Sequence, residues 1–152
     1  MKAIRIDRLG GPEALRLQET ERPAPGPGQV RIKIKAAGVN FVDIYERRGD
    51  HPVALPLPYT PGREGAGVVD AVGEGVESVR PGDRVAYSST EPGSYAEYSL
   101  APASHLIPLP DDLSFEQGAT FPFQGLTAHF LLHDYRSVRP GDTVLIDRKS
   151  VV

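Results

Sequence analysis

Val30, Ile32, Ile34 and Ala36 alternate with Arg31, Lys33 and Lys35, and this period-two run over residues 30–36 constrains the chain more than any other feature. A strand with one buried face and one wet face reads this way. The alternation stops at Gly38. Asn40 then stands where a helix N-cap is chosen, its short carbonyl able to accept from the first N–H groups of a helix over residues 41–48. A strand thus delivers an amide, and the phenol of Tyr45, to the start of a short helix. Such junctions are rigid and carry free backbone donors, which suits them to hold a site. Taken alone, a capping Asn40 and a packed Tyr45 explain the same residues equally well.

With 16 Gly and 15 Pro in 152 residues, the chain favours many short strands and tight turns over a helical bundle. Its 17 basic and 20 acidic side chains give a formal net charge of −3 with no basic run, which argues against nucleic acid as the main partner. No run of 18 apolar residues and no charged-then-apolar leader are present, and there is no cysteine for disulfides, thiolate ligands or thiol nucleophiles. These features predict a soluble cytoplasmic protein that stays clear of membranes.

In chain order, residues 1–6 and 15–19 predict a hairpin turned by Gly10 and Gly11, whose freedom at positive φ a tight turn requires. The stiff run Arg22-Pro23-Ala24-Pro25-Gly26-Pro27-Gly28 reads as a surface connector. Residues 49–61 form a proline-rich loop of the kind that carries contacts beside a pocket. Residues 62–72 alternate small residues with valines, predicting a strand that another backbone approaches closely. Glu64 is the one charge in its apolar part; either it pairs with Arg63 or another arginine, the favoured reading because a buried carboxylate usually needs a partner, or it supports the site. Residues 93–98 predict another strand with two packed tyrosines. Ser114 and Gln117 have capping-box spacing, and Gly125 opens a second helix with Leu126, Phe130, Leu131 and Tyr135 near one face. Val79-Arg80-Pro81-Gly82-Asp83 recurs as Val138-Arg139-Pro140-Gly141-Asp142, the same type II turn used twice, each copy launching an apolar strand.

Gly38-Val39-Asn40-Phe41-Val42-Asp43-Ile44-Tyr45, Pro61-Gly62-Arg63-Glu64-Gly65-Ala66-Gly67 and Val79-Arg80-Pro81-Gly82-Asp83-Arg84-Val85 stand in order and at family spacing. Through them the chain resembles the zinc-free quinone oxidoreductases of the medium-chain dehydrogenase/reductase superfamily, the zeta-crystallin-like reductases, from Met1 to about Ile146. The resemblance implies a mainly β fold with short helices: a GroES-like, partly open β-barrel catalytic domain over residues 1–124, then the first helix and strand of a truncated Rossmann domain over residues 125–146. It implies an NADPH-dependent reductase that transfers hydride to a quinone or enone. Asn40 and Tyr45 would orient the nicotinamide and the substrate oxygen, Phe41, Val42, Asp43, Ile44 and Tyr45 would flank the cofactor, and Thr127 and Phe130 would lie at its nicotinamide end. As an alternative, Thr127 bonds its own helix backbone. His51 stands where the family often carries tyrosine. An imidazole there can donate a proton near neutral pH, whereas an ordinary loop histidine has no such duty; Tyr45 and water are the other proton sources.

In the zinc-dependent branch of the superfamily a cysteine follows the Gly-Val step and a Gly-His-Glu follows the proline loop. Asn40 and Arg63 occupy those places here, and the four cysteines of the structural zinc lobe have no counterpart, so no zinc is expected. Related alternatives are an enoyl-thioester reductase of the same superfamily or a non-catalytic co-chaperonin-like module. Residues 143–146 resemble the first strand of a dinucleotide-binding fold, but no Gly-x-Gly-x-x-Gly run follows. NADPH would then be held mainly by a further half, where family members commonly dimerise. Residues 147–152, Asp-Arg-Lys-Ser-Val-Val, leave the apolar pattern abruptly and read as a non-native tail, the translation of a sequencing adapter.

Overall fold

The computed structural model describes residues 1–146; the expected non-native tail lies outside them. The alternating run becomes the long strand β3 (Gln29–Ala37). The other strands are β1 (Lys2–Arg5), β2 (Arg16–Glu19), β4 (Glu64–Val72), β5 (Arg84–Ser88), β6 (Tyr98–Pro102) and β7 (Leu106–Pro108). Helices α1 (Phe41–Arg48), α2 (Phe115–Gly118) and α3 (Pro122–His129) complete the fold, with a π-helical turn, Phe130–Tyr135, continuing α3.

β3 runs inside a five-stranded antiparallel sheet of order β6-β3-β4-β5-β7, while β1 and β2 pair separately. The alternation places Val30 and Ile32 fully inside, packed with Val69, Val85, Tyr87 and Ala101. A second cluster, Ala66, Ala86, Leu109 and Ala119, seats α2 on the sheet. The chain at the small sheet is tied to the loops around the large one, Ile4 N–H donating to Tyr95 O at 2.8 Å and Ile6 N–H to Tyr59 O at 2.9 Å. The result is a mainly β pair of open sheets, with no closed barrel among the described residues.

Local signals explain most elements. Ser114 Oγ accepts from Gln117 N–H at 3.2 Å and Gln117 Oε1 from Ser114 N–H at 2.9 Å, the reciprocal box that starts α2. The repeated turn is built identically in both copies, with Gly82 at φ +99 and Gly141 at φ +95. In each, the aspartate accepts from the arginine N–H at 2.9 Å.

The structure departs from expectation in four places. Gly10 and Gly11 do not take positive φ; a short 3-10 turn, Pro12–Ala14, reverses the chain, with Gly11 at φ −73. The strand expected over residues 93–98 begins at Tyr98 instead, because Gly93 and Ser94 donate to Gly62 O and Tyr95 to Pro61 O, pinning that stretch to a loop. The second helix starts at Pro122 rather than Gly125, since proline is well suited to a helix's first position. Residues 143–146 form no strand: the turn before them is made, but no neighbouring strand offers a ladder among the described residues.

Candidate active site

Helix α1 is amphipathic in the reverse sense. Asp43, Glu46 and Arg47 share the buried face, while Phe41 is 73% exposed. Charged groups survive inside only when paired and hydrogen-bonded, and the elements around α1 supply those partners.

Asp43 Oδ2 accepts from Asn40 N–H at 2.9 Å, one half of a capping box, and from the Tyr95 hydroxyl at 2.8 Å. Asp43 Oδ1 has no partner among the described residues. Burial pushes the Asp43 carboxyl above its ordinary 3.8, against the pull of the Asn40 and Tyr95 hydrogen bonds. The Tyr95 phenol is pushed up as well, by burial first and then by the Asp43 carboxylate. Arg63, just before β4, reaches Glu46 Oε1 through Nε at 2.7 Å and also through Nη2, while its Nη1 donates to Thr90 O. The Glu46 side chain is fully enclosed. Tyr59 lies in the same electrostatic neighbourhood: burial, with the charges of Glu46 and Asp43, pushes its phenol up to about 12.

Asn40, which faces the start of α1 in a capping box with Asp43, also sends a hydrogen bond away from the helix it begins. Nδ2 donates to Glu64 Oε2 at 3.0 Å, and Glu64 Oε1 accepts from the Phe123 N–H of α3 at 2.7 Å. Glu64 is 2% exposed and has no arginine partner among the described residues, so the expected ion pair is not formed there. Arg63 pairs with Glu46 instead, and Glu64 is satisfied by neutral amides. A carboxylate only accepts, which fixes the Asn40 carboxamide with Nδ2 toward Glu64 and Oδ1 away from it.

The structure brings Asn40 and Asp43 together and leaves the other expected site residues apart from them. Tyr45 is half-buried and faces Phe41, ring centroids 6.5 Å apart, on the outward side of α1. Val42 and Ile44 are half-buried between the two faces. His51 accepts from Val53 N–H through Nδ1 at 3.2 Å, closing its own loop. Thr127 donates to Phe123 O at 2.7 Å, the local backbone bond that competed with a cofactor contact. Phe130 is half-exposed, its ring 6.3 Å from Tyr135.

A cleft of about 430 Å³ opens beside this network, lined by Arg63, Ser88, Thr90, His105, Phe123 and Leu126 among others. A larger one, about 640 Å³, is lined by Leu131, Leu132, Tyr135, Val138, Val144 and Ile146 and touches none of the Asn40 network. Among the described residues no group of three or more His, Asp or Glu is placed to hold a metal ion. Tyr95, Phe123 and the Glu46–Arg63 pair escape sequence reasoning. The spacing of Asp43 and Glu46 at i and i+3 on one helix face is the one local hint of a buried polar side.

Residues 26–111 match the alcohol dehydrogenase GroES-like domain. The quinone oxidoreductase of Sus scrofa is 47% identical over 147 residues, covering 96% of this chain and 45% of that protein. The crystal structure of the quinone oxidoreductase of Pseudomonas syringae pv. tomato superposes with a TM-score of 0.84 at 44% identity, over 92% of this chain and 43% of that one. The Escherichia coli quinone oxidoreductase complexed with NADPH gives a TM-score of 0.85 at 36% identity, over 92% and 43%. The chain thus spans about half the length of the curated relatives it matches. It belongs to the alcohol dehydrogenase GroES-like domain family, and its kin are the N-terminal halves of quinone oxidoreductases of the medium-chain dehydrogenase/reductase superfamily.

Proposed function

We propose that the chain is the substrate-side half of an NADPH-dependent reductase that transfers hydride to a conjugated carbonyl substrate, a quinone or an enone, without zinc. Residues 1–124 are the catalytic domain on this reading, residues 125–146 open the dinucleotide-binding domain, and the longer protein is a cytoplasmic homodimer. The observation that carries the reading is what holds the two positions where zinc-using relatives keep a thiolate and an imidazole. Arg63 has no lone pair to give a cation and is paired with Glu46, while the Asn40 amide is turned to Glu64. Without a Lewis acid, such a site suits substrates that accept hydride at carbon while electron density drains into an attached carbonyl. Quinones and enones do this.

The residues on the outer side of α1 fit the flat end of the cofactor. Phe41 and Tyr45 lie at 27° to one another and offer an apolar plate. When bound, NADPH supplies the hydride. On this reading Asn40, its carboxamide fixed against Glu64, and Tyr45 would orient the nicotinamide and the substrate oxygen, with Phe41, Val42, Asp43 and Ile44 flanking the cofactor. Thr127 and Phe130 would lie at the nicotinamide end. The proton comes from Tyr45, from His51 through its second nitrogen, or from water. Most cofactor affinity belongs to a phosphate cradle that this sequence lacks, so the chain alone is inactive.

Two measurements test this. Elemental analysis of the purified chain is expected to find far less than stoichiometric zinc. NADPH titration is expected to saturate with a protein extended by a dinucleotide-binding half and not with these 152 residues, and quinone-dependent NADPH oxidation should accompany the extended form. Stoichiometric zinc, or tight saturable NADPH binding by the short chain, overturns the reading.

A further inference from the structure

The Glu64 carboxylate is enclosed, carries no counter-cation among the described residues, and spends one oxygen on each of two distant amides. One belongs to Asn40, in the turn between β3 and α1. The other is the Phe123 N–H in the first turn of α3, the helix that carries Thr127 and leads into Phe130. A burial this complete is costly unless the geometry is held on all sides. It is: a Cβ at Gly38 would collide with Glu64 Oε2 and lie 2.5 Å from Ala119 O, so only glycine leaves room for the carboxylate there. Gly38, Ala119, Asn40 and Phe123 together form a fitted socket for one acid.

We infer that Glu64 is a positioning residue that sets the polarity of the Asn40 carboxamide and locks the α1 turn to the start of α3. Because the acid only accepts, Asn40 presents its carbonyl oxygen, an acceptor, on the side away from β4. Because the same acid holds Phe123, any shift of α3 is felt at Asn40. As a statement about a reductase site this rests on the function proposed above; as a statement about the carboxamide it does not.

The experiment is a reciprocal exchange on the full 152-residue chain, read by thermal unfolding and by the Asn40 side-chain amide signals in a nitrogen-15 spectrum. Asn40→Asp sets two carboxylates face to face and is expected to lower Tm by roughly 10 °C. Glu64→Gln alone is expected to fold near the parent Tm, because Asn40 can rotate to accept from the new amide, and to shift the Asn40 amide signals. Combining both substitutions restores one donor and one acceptor: the introduced amide donates to the introduced carboxylate while its oxygen keeps the Phe123 N–H. Most of the Tm lost by Asn40→Asp should return. Additive losses in the double variant, or Asn40 signals unmoved by Glu64→Gln, overturn the inference. Should Asn40→Asp not fold at all, recovery of a folded spectrum by the double variant supports it and failure to recover overturns it. In a protein extended by its cofactor half, Glu64→Gln is expected to lower kcat several-fold with NADPH affinity unchanged. Absence of any quinone reduction by the unsubstituted extended protein defeats the proposed function and leaves the exchange result standing.

Discussion

The Tyr95 hydroxyl donates to Asp43 Oδ2 at 2.8 Å, tying the irregular stretch before β6 to the buried face of α1. With the Asn40 N–H, which donates to the same oxygen, it satisfies a carboxylate beneath the helix whose outer face carries Phe41 and Tyr45. Tyr95→Phe removes it while keeping the ring. Since Asp43 Oδ1 already lacks a partner among the described residues, the loss is expected to destabilise the fold by about 1–3 kcal/mol. Urea unfolding of the two proteins measures it, with a lowered midpoint at unchanged slope as the expected result.

The same aspartate predicts a pH dependence. Its folded-state pKa is raised above 3.8, by burial first and by the Glu46 charge in addition. A raised carboxyl pKa means the folded chain binds more protons than the unfolded one between the two values, so this group's contribution is full below 3.8 and declines as pH rises through the folded pKa. Asp43→Asn removes the titration. Stability measured in steps upward from about pH 4 should therefore fall less steeply in the variant than in the parent.

Arg63 and Glu46 make a sharper case, because the Glu46 side chain is fully enclosed and Arg63 nearly so, at 12% exposed. Arg63→Ala leaves a buried carboxylate without its cation, at an expected cost of about 3–5 kcal/mol. Replacing both partners with apolar residues of similar size, Arg63→Met with Glu46→Leu, should recover most of that loss, since desolvation then disappears along with the attraction. Denaturant midpoints for the single and double variants decide this, and a double variant as unstable as Arg63→Ala contradicts it.

The features legible in the sequence were those that neighbouring residues decide among themselves. The alternation from Val30 to Ala36 is a strand because every second side chain is apolar, and Ser114 with Gln117 starts a helix whatever surrounds it. The paired turns at Gly82 and Gly141 were readable for the same reason. The fate of the chain beyond each turn was not: Arg84 onward finds β4 and β7 as ladder partners and becomes β5, whereas residues 143–146 carry an equally apolar pattern and pair with nothing described. The site was half legible. Asn40 stood out by its place at the end of a strand, but its real partner is Glu64, 24 positions on, and Tyr95 lies 52 positions from Asp43. Hydrogen bonds of that span depend on how distant segments are brought together in the fold, which neighbouring residues do not specify.

Gly38 allows one more test of the crowded corner where β3 ends. An alanine Cβ there collides with Glu64 Oε2 and meets the Ala119 backbone oxygen at 2.5 Å, and neither can withdraw: the carboxylate is held by Asn40 and Phe123, and Ala119 is packed under Leu109. Gly38→Ala is expected to cost about 1–3 kcal/mol or more through overpacking, and to broaden or shift the Asn40 amide signals. Gly125→Ala is the matched control. It lies within α3, where an added Cβ finds only Phe121 Cδ2 at 3.8 Å. There the ordinary preference of a helix for alanine should raise stability by roughly 0.5–1 kcal/mol. Opposite signs for the same chemical change, read from urea midpoints, separate steric demand at the Glu64 socket from the general effect of removing a glycine.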